Sequence, residues 1–137
     1  MKQSELKKLS KVSKQIYDYG CYFLSLLYAA RDVEPDVLDM FFYYEVFTSR
    51  GWMGEDCFVK DPISILKYLT GRDFKIKKSD VYDTTADIVI ARWYNPSTKI
   101  AHFTLQDKAD NVLWDSLGNS TTVANGYIES YRLFYLV

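Results

Sequence analysis

The hydrophobic period of this chain changes once, and that change constrains its fold more than any single motif. Up to about residue 71 apolar residues recur at helical spacing; from "FKIKK" (74–78) onward they alternate. Helices first and strands second predict an α+β fold, with N-terminal helices packed on an antiparallel sheet in one domain over 1–137. "SELKKLSKVSK" (4–14) reads as an amphipathic helix capped by Ser4 and stopped by the turn-prone "YDYG" (17–20). The next segment, about Gly20 to Arg31, is almost wholly apolar and predicts a helix buried on most of its circumference. Pro35 suits the first position of a third helix reaching about Thr48, whose "MFFYYEVF" can cover the buried one. Asp61, Pro62 and Gly71 supply cap, first residue and stop for a fourth. "FKIKK", "DIVIARWY", "IAHFTLQ", "VLWDS" and "YRLFYLV" read as strands.

Two of these strands carry chemistry. If "DKAD" (107–110) is a four-residue hairpin loop, Gln106 faces Asn111, and counting outward pairs Leu105 with Val112, Phe103 with Trp114, and His102 with Asp115. The apolar set then shares one face and the His102–Asp115 pair the other; a slip of one residue would scatter the apolar set. Opposed side chains have Cβ atoms ~4.5–5.5 Å apart, close enough for a carboxylate to hold an imidazole. His102 is the only histidine in the chain.

Cys21 opens the buried helix, where free N–H groups and the helix dipole favour a thiolate and can hold an oxyanion. The alternative is a small apolar packing residue, and on position alone the two readings stand level. Gln15, six residues upstream and before a turn that would fold it back, offers a neutral amide donor.

Composition excludes several classes. A net charge of -1 argues against a nucleic-acid surface. Five lysines against one glutamate in residues 1–14 leave -5 for the remainder, which fits a solvated helix face or attraction to a polyanionic envelope. No apolar run reaches the ~18 residues of a membrane span, and the N-terminus lacks a secretion core. The expectation is a monomer soluble in the cytoplasm as synthesised, reaching a cell wall only through a separate release system. One histidine and two cysteines do not form a zinc-ligand pattern, so no metal or cofactor is expected. Cys57 has no base assigned to it and is expected to be dispensable.

Gln15, then Cys21 at the start of a buried helix, a distant His102 and then Asp115 resemble the papain-like cysteine peptidases. The small size is most similar to the bacterial branch that trims double-glycine leaders, and to phage wall lysins. The resemblance implies Cys21 as nucleophile, His102 as base and acid, Asp115 as its orienter and Gln15 as oxyanion donor. It departs from that branch at Tyr22 and Phe23, bulky where small residues commonly follow the cysteine, and at Ser116, where proline is frequent. The preferred substrate is a short peptide link such as a peptidoglycan stem peptide. A protein-directed intracellular protease, and a non-catalytic binding or inhibitor module on the same fold, remain as alternatives.

Overall fold

The computed structural model describes residues 3–137, with side chains from Ser10 onward. Four helices precede the sheet: α1 (Gln3–Tyr19), α2 (Cys21–Arg31), α3 (Val37–Ser49) and α4 (Pro62–Thr70). Strands β1 (Phe74–Ser79), β2 (Ile88–Asn95), β3 (Ile100–Gln106) and β4 (Val112–Trp114) follow, then a short α5 (Thr121–Asn125) and β5 (Tyr127–Leu136). The sheet is antiparallel throughout, in the order β1-β5-β2-β3-β4. The α+β architecture with helices on an antiparallel sheet is therefore as expected.

Boundaries differ from expectation where one residue competes with another. "YDYG" does not break α1 early: Tyr17, Asp18 and Tyr19 stay helical and only Gly20 interrupts. Pro35 lies outside α3, which starts at Val37 because Asp36 forms a reciprocal capping box with Asp39. The Ser4 cap lies outside the residues whose side chains are described. α4 follows its signals: Asp61 accepts from the Ser64 N–H, Pro62 is first, and Gly71 ends the helix in the left-handed region at φ 72°. α5 was not expected, because five residues are too few to show a period.

The buried helix α2 is the axis of the core. Phe23, Leu24, Ser25, Leu26 and Leu27 are all buried, five in succession, so every side of it is covered. It meets the sheet through β3 and is flanked by α1 and α4. Phe23 packs edge-on against the fully buried Phe47 of α3, which also meets Tyr43, Trp52 and Tyr68. The "MFFYYEVF" segment covers the core only in part, since Phe42 remains 57% exposed. A second cluster, with Val89, Ala91, Tyr131 and Leu133, fills the far face of the sheet. There the Tyr82, Tyr131 and Tyr135 hydroxyls donate to Asp107, Asp110 and Asp83, fastening the loops over it.

Gly20 sets the angle between α1 and α2. Its N–H donates to the Ile16 carbonyl at 2.8 Å, and a Cβ there would stand 2.3 Å from that same oxygen. Backbone cannot yield as a flexible side chain would. Gly20→Ala should destabilise the protein by about 1–3 kcal/mol, read as a lower urea midpoint with an unchanged slope. An unaltered midpoint would show that the junction tolerates a side chain.

Candidate active site

The site lies where the sheet runs short. β4 pairs with β3 only at Gln106↔Val112 and Leu105↔Trp114, so the outer edge of β3 before Leu105 is left without a strand. The start of α2 comes to that edge, and the Phe103 N–H donates to Cys21 Sγ at 3.5 Å. Cys21 is half-buried, and Gly20 before it has no side chain to cap the first turn. The N-terminal amides of α2 and the positive end of its dipole therefore face the sulfur's surroundings.

His102 is buried beside this thiol. Its Nε2 donates to Asp115 Oδ1 at 2.7 Å, and the two side chains are only 5% and 4% exposed. A buried carboxylate is costly unless its lone pairs are satisfied. Here Oδ1 also accepts from the Leu117 N–H at 2.9 Å, and Oδ2 from the Ser120 N–H at 3.2 Å. Ser120 in turn caps α5, its hydroxyl accepting from Thr122 and Val123. With Nε2 committed to Asp115, Nδ1 is the ring nitrogen left for the thiol. Burial works against a charged imidazole, but the hydrogen bonds and negative charge of Cys21 and Asp115 outweigh it, and the His102 pKa lies above its ordinary value of 6.5.

The expected hairpin register does not occur. The loop holds one more residue than "DKAD": the Asp107 N–H bonds to the Asn111 carbonyl, Asp110 turns through φ 59°, and Val112 opposes Gln106. Leu113 is then an extra residue, bulged so that Trp114 faces Leu105 in place of Phe103. Trp114 still reaches the core side, stacked on Tyr28, while Val112 leaves it and is 39% exposed. Asp115 is thus not a cross-strand partner of His102. It lies past the end of β4, in a turn closed by the Gly118 N–H on its own carbonyl, and reaches His102 from there. The pair forms as expected, by a different route.

Gln15 lies in the last turns of α1, not before a separate turn. It lines a cleft of about 890 Å³ together with Cys21, Tyr22, Phe103 and Arg132. Its Oε1 is buried with no hydrogen-bond partner. The opposite wall is the 51–61 loop, through Asp56, Cys57, Phe58 and Val59. That loop is firmly built: Trp52 and Met53 donate to the Phe47 carbonyl, Met53 bridges Val59, and Tyr44 Oη donates to the Glu55 carbonyl at 2.6 Å. Cys57 is buried at φ 65°, and burial, with Asp56 and Cys21 nearby, pushes its thiol up to about 12.

Sequence reasoning did not find Ser120, the Phe103 amide or the two arginines of the cleft. A serine just before "TTVAN" is a cap signal for α5, but nothing in the order of residues ties it to Asp115. Among the described residues no group of three or more His, Cys, Asp or Glu is placed to hold a metal ion. Nor is any helix among them long and apolar enough to cross a membrane.

Fold and site together define an α+β protein with a cysteine at a helix start and a buried His–Asp pair at an open strand edge. The chain belongs to the family described as "Protein of unknown function, DUF261", whose sequence model matches residues 1–136. No curated protein and no solved structure matches it.

Because His102 is the only histidine, its ring resonances report one titration. The midpoint in the folded protein should lie above 6.5, and Asp115→Asn should lower it. A raised folded-state pKa stabilises the fold fully below about pH 6.5, and that contribution is lost as pH rises through the folded value. A midpoint at or below 6.5 would mean that burial prevails over the two partners.

Proposed function

We propose that this protein is a cysteine peptidase of the papain-like kind, with Cys21 as nucleophile, His102 as acid–base and Asp115 as orienting group. The observation that carries the reading is the convergence of three segments, the start of α2, the edge of β3 and the turn after β4, on one thiol–imidazole–carboxylate array beside an open cleft.

His102 takes the proton of the Cys21 thiol as the sulfur attacks the carbonyl carbon of the bound amide. Negative charge then develops on the carbonyl oxygen. The Cys21 N–H and the side-chain amide of Gln15, a residue of the cleft lining, are the donors for it. His102 returns the proton to the leaving amine, and the thioester forms as the C–N bond breaks. Water then attacks the thioester with His102 as base, releasing the acid and restoring the thiol. Asp115 keeps Nε2–H fixed throughout, because its own two oxygens are pinned by backbone amides.

Short peptide links, with bacterial wall stem peptides foremost, are the preferred substrate. The test is turnover of purified wall sacculi and of peptide pools, with a thiol-directed probe run in parallel. Cys21→Ala should abolish turnover, and His102→Ala should lower it by roughly 10²–10⁴-fold. Asp115→Ala should lower it less completely, since the ring survives without its orientation. Thermal melts must show each variant folded. Full activity in a folded His102→Ala variant would remove His102 as the base, and a wild type that turns over neither sacculi nor peptides would leave a binding module as the better account.

Probe labelling at neutral pH should fall on Cys21 and persist in Cys57→Ser, because the Cys57 thiol is held protonated. Mass spectrometry locates the adduct. Labelling that follows Cys57 instead would reassign the nucleophile.

A further inference from the structure

The floor of the cleft carries an arginine without a counter-charge. Arg132 of β5 projects from the helix-side face, its guanidinium 5.6 Å from the centre of the Phe103 ring. Its hydrogen bond is to a neutral group, Nη1 donating to Ser130 Oγ at 2.9 Å. Among the described residues no carboxylate lies within ion-pair distance of it. Glu129, the nearby acid, is already paired with Arg92, whose own positive charge also faces the cleft. Lys78 stands opposite Arg132 across the β1–β5 pairing and adds to the same sign. The acidic residues of the cleft, Asp18 and Asp56, belong to α1 and the 51–61 loop rather than to the sheet.

A second unfilled group stands beside it. Tyr22 follows the candidate nucleophile and stacks on Phe103, ring centres 4.6 Å apart. Its hydroxyl is buried with no partner, which costs about 1–3 kcal/mol in a folded protein. Burial raises the Tyr22 pKa, so the phenol stays a proton donor at any ordinary pH. Burial lowers the Arg132 pKa and neighbouring Arg92 adds to this, while Tyr22 and Glu129 act against it. A half-buried guanidinium, which can only donate, and a buried O–H with its proton unused are both packed on one ring.

We infer that Arg132 and the Tyr22 hydroxyl form a subsite for a carboxylate of the bound peptide, either an acidic side chain or a free C-terminus, a few residues or fewer from the scissile bond. A planar guanidinium suits a carboxylate, and that carboxylate would supply the missing acceptor to both donors. This rests on the peptidase reading of Cys21, and explains why bulky Tyr22 follows the cysteine: its ring carries a hydroxyl into the subsite.

The experiment measures how well short peptides protect Cys21 from alkylation by iodoacetamide, a neutral reagent. The probes are acetyl-Ala-Ala-Glu-Ala-Ala amide, its Gln isostere, and the Gln peptide with a free C-terminal carboxylate. The Glu peptide or the free-acid peptide should half-protect Cys21 at about tenfold lower concentration than the neutral amide, the size of one charge-assisted hydrogen bond. Which of the two does so identifies the source of the carboxylate. Arg132→Gln, compared with its own neutral-peptide value, should bring that ratio within about twofold of one. Arg132→Lys keeps the charge without the fork and should retain part of it, so a poorly folding Gln variant does not end the test. Tyr22→Phe should reduce the ratio without removing it. No preference in the wild type, or a preference that survives Arg132→Gln, would overturn the subsite. Failure of the peptidase reading appears separately, as an alkylation rate of Cys21 that is unchanged in His102→Ala.

Discussion

The molecule depends on satisfying one carboxylate in its interior. The Asp115 side chain is only 4% exposed, where polar atoms left without partners would be costly. Three donors prevent this, one imidazole and two backbone amides, and each comes from a part of the chain with its own structural reason to be there. Ser120 is placed by capping α5, Leu117 by the tight turn after β4, and His102 by its pairing with Trp93 in β2. The carboxylate therefore draws three elements together, and the ring it holds meets the thiol at the head of α2.

The open edge of β3 follows from the brevity of β4. Had β4 continued, a strand would cover Phe103 and the sulfur could not reach that amide. The bulge at Leu113 and the turn at 115–118 end the strand after three residues. The helices make the complementary arrangement. α2 is buried all round, so its start is fixed as firmly as the core, and Gly20 allows α1 to approach closely enough to bring Gln15 to the same cleft. The aromatic cluster about Phe47 fastens the 51–61 loop as the facing wall, with Arg50 lying over both Trp52 and Tyr68. Packing energy spent far from Cys21 thus positions the walls on either side of it.

Much of this was legible in the residues. Period and capping signals located four helices and five strands, because those signals act over neighbouring positions. The partnership of His102 with Asp115 was legible too, although the register inferred for it was not the one formed. Two local events, the longer loop with Asp110 at positive φ and the bulge at Leu113, changed the count between them. Neither leaves a mark in alternation, since Asp and Leu occur in many contexts. Ser120, Arg92 and Arg132 were not legible for a different reason: their roles depend on which strands become neighbours, and the order β1-β5-β2-β3-β4 brings β5 between β1 and β2. Residues at the far end of the chain become the floor of a cleft whose cysteine, Cys21, is near its start.

The distribution of unsatisfied groups bears on what this cleft is for. The described side chains hold three buried polar atoms without a hydrogen bond, and two of them, Gln15 Oε1 and Tyr22 Oη, belong to residues lining the cleft. The third, Arg31 Nη1, lies 3.1 Å from the Asp39 carboxylate, so its charge is met. Elsewhere the fold satisfies its polar groups thoroughly, down to the paired tyrosine hydroxyls on the far face. A cleft left by imperfect packing would be expected to collapse or to be lined by indifferent atoms. This one gathers a thiol, an amide with a buried unpartnered oxygen, an orphaned phenol and a guanidinium without an ion pair on one surface, the pattern expected where local stability yields to binding.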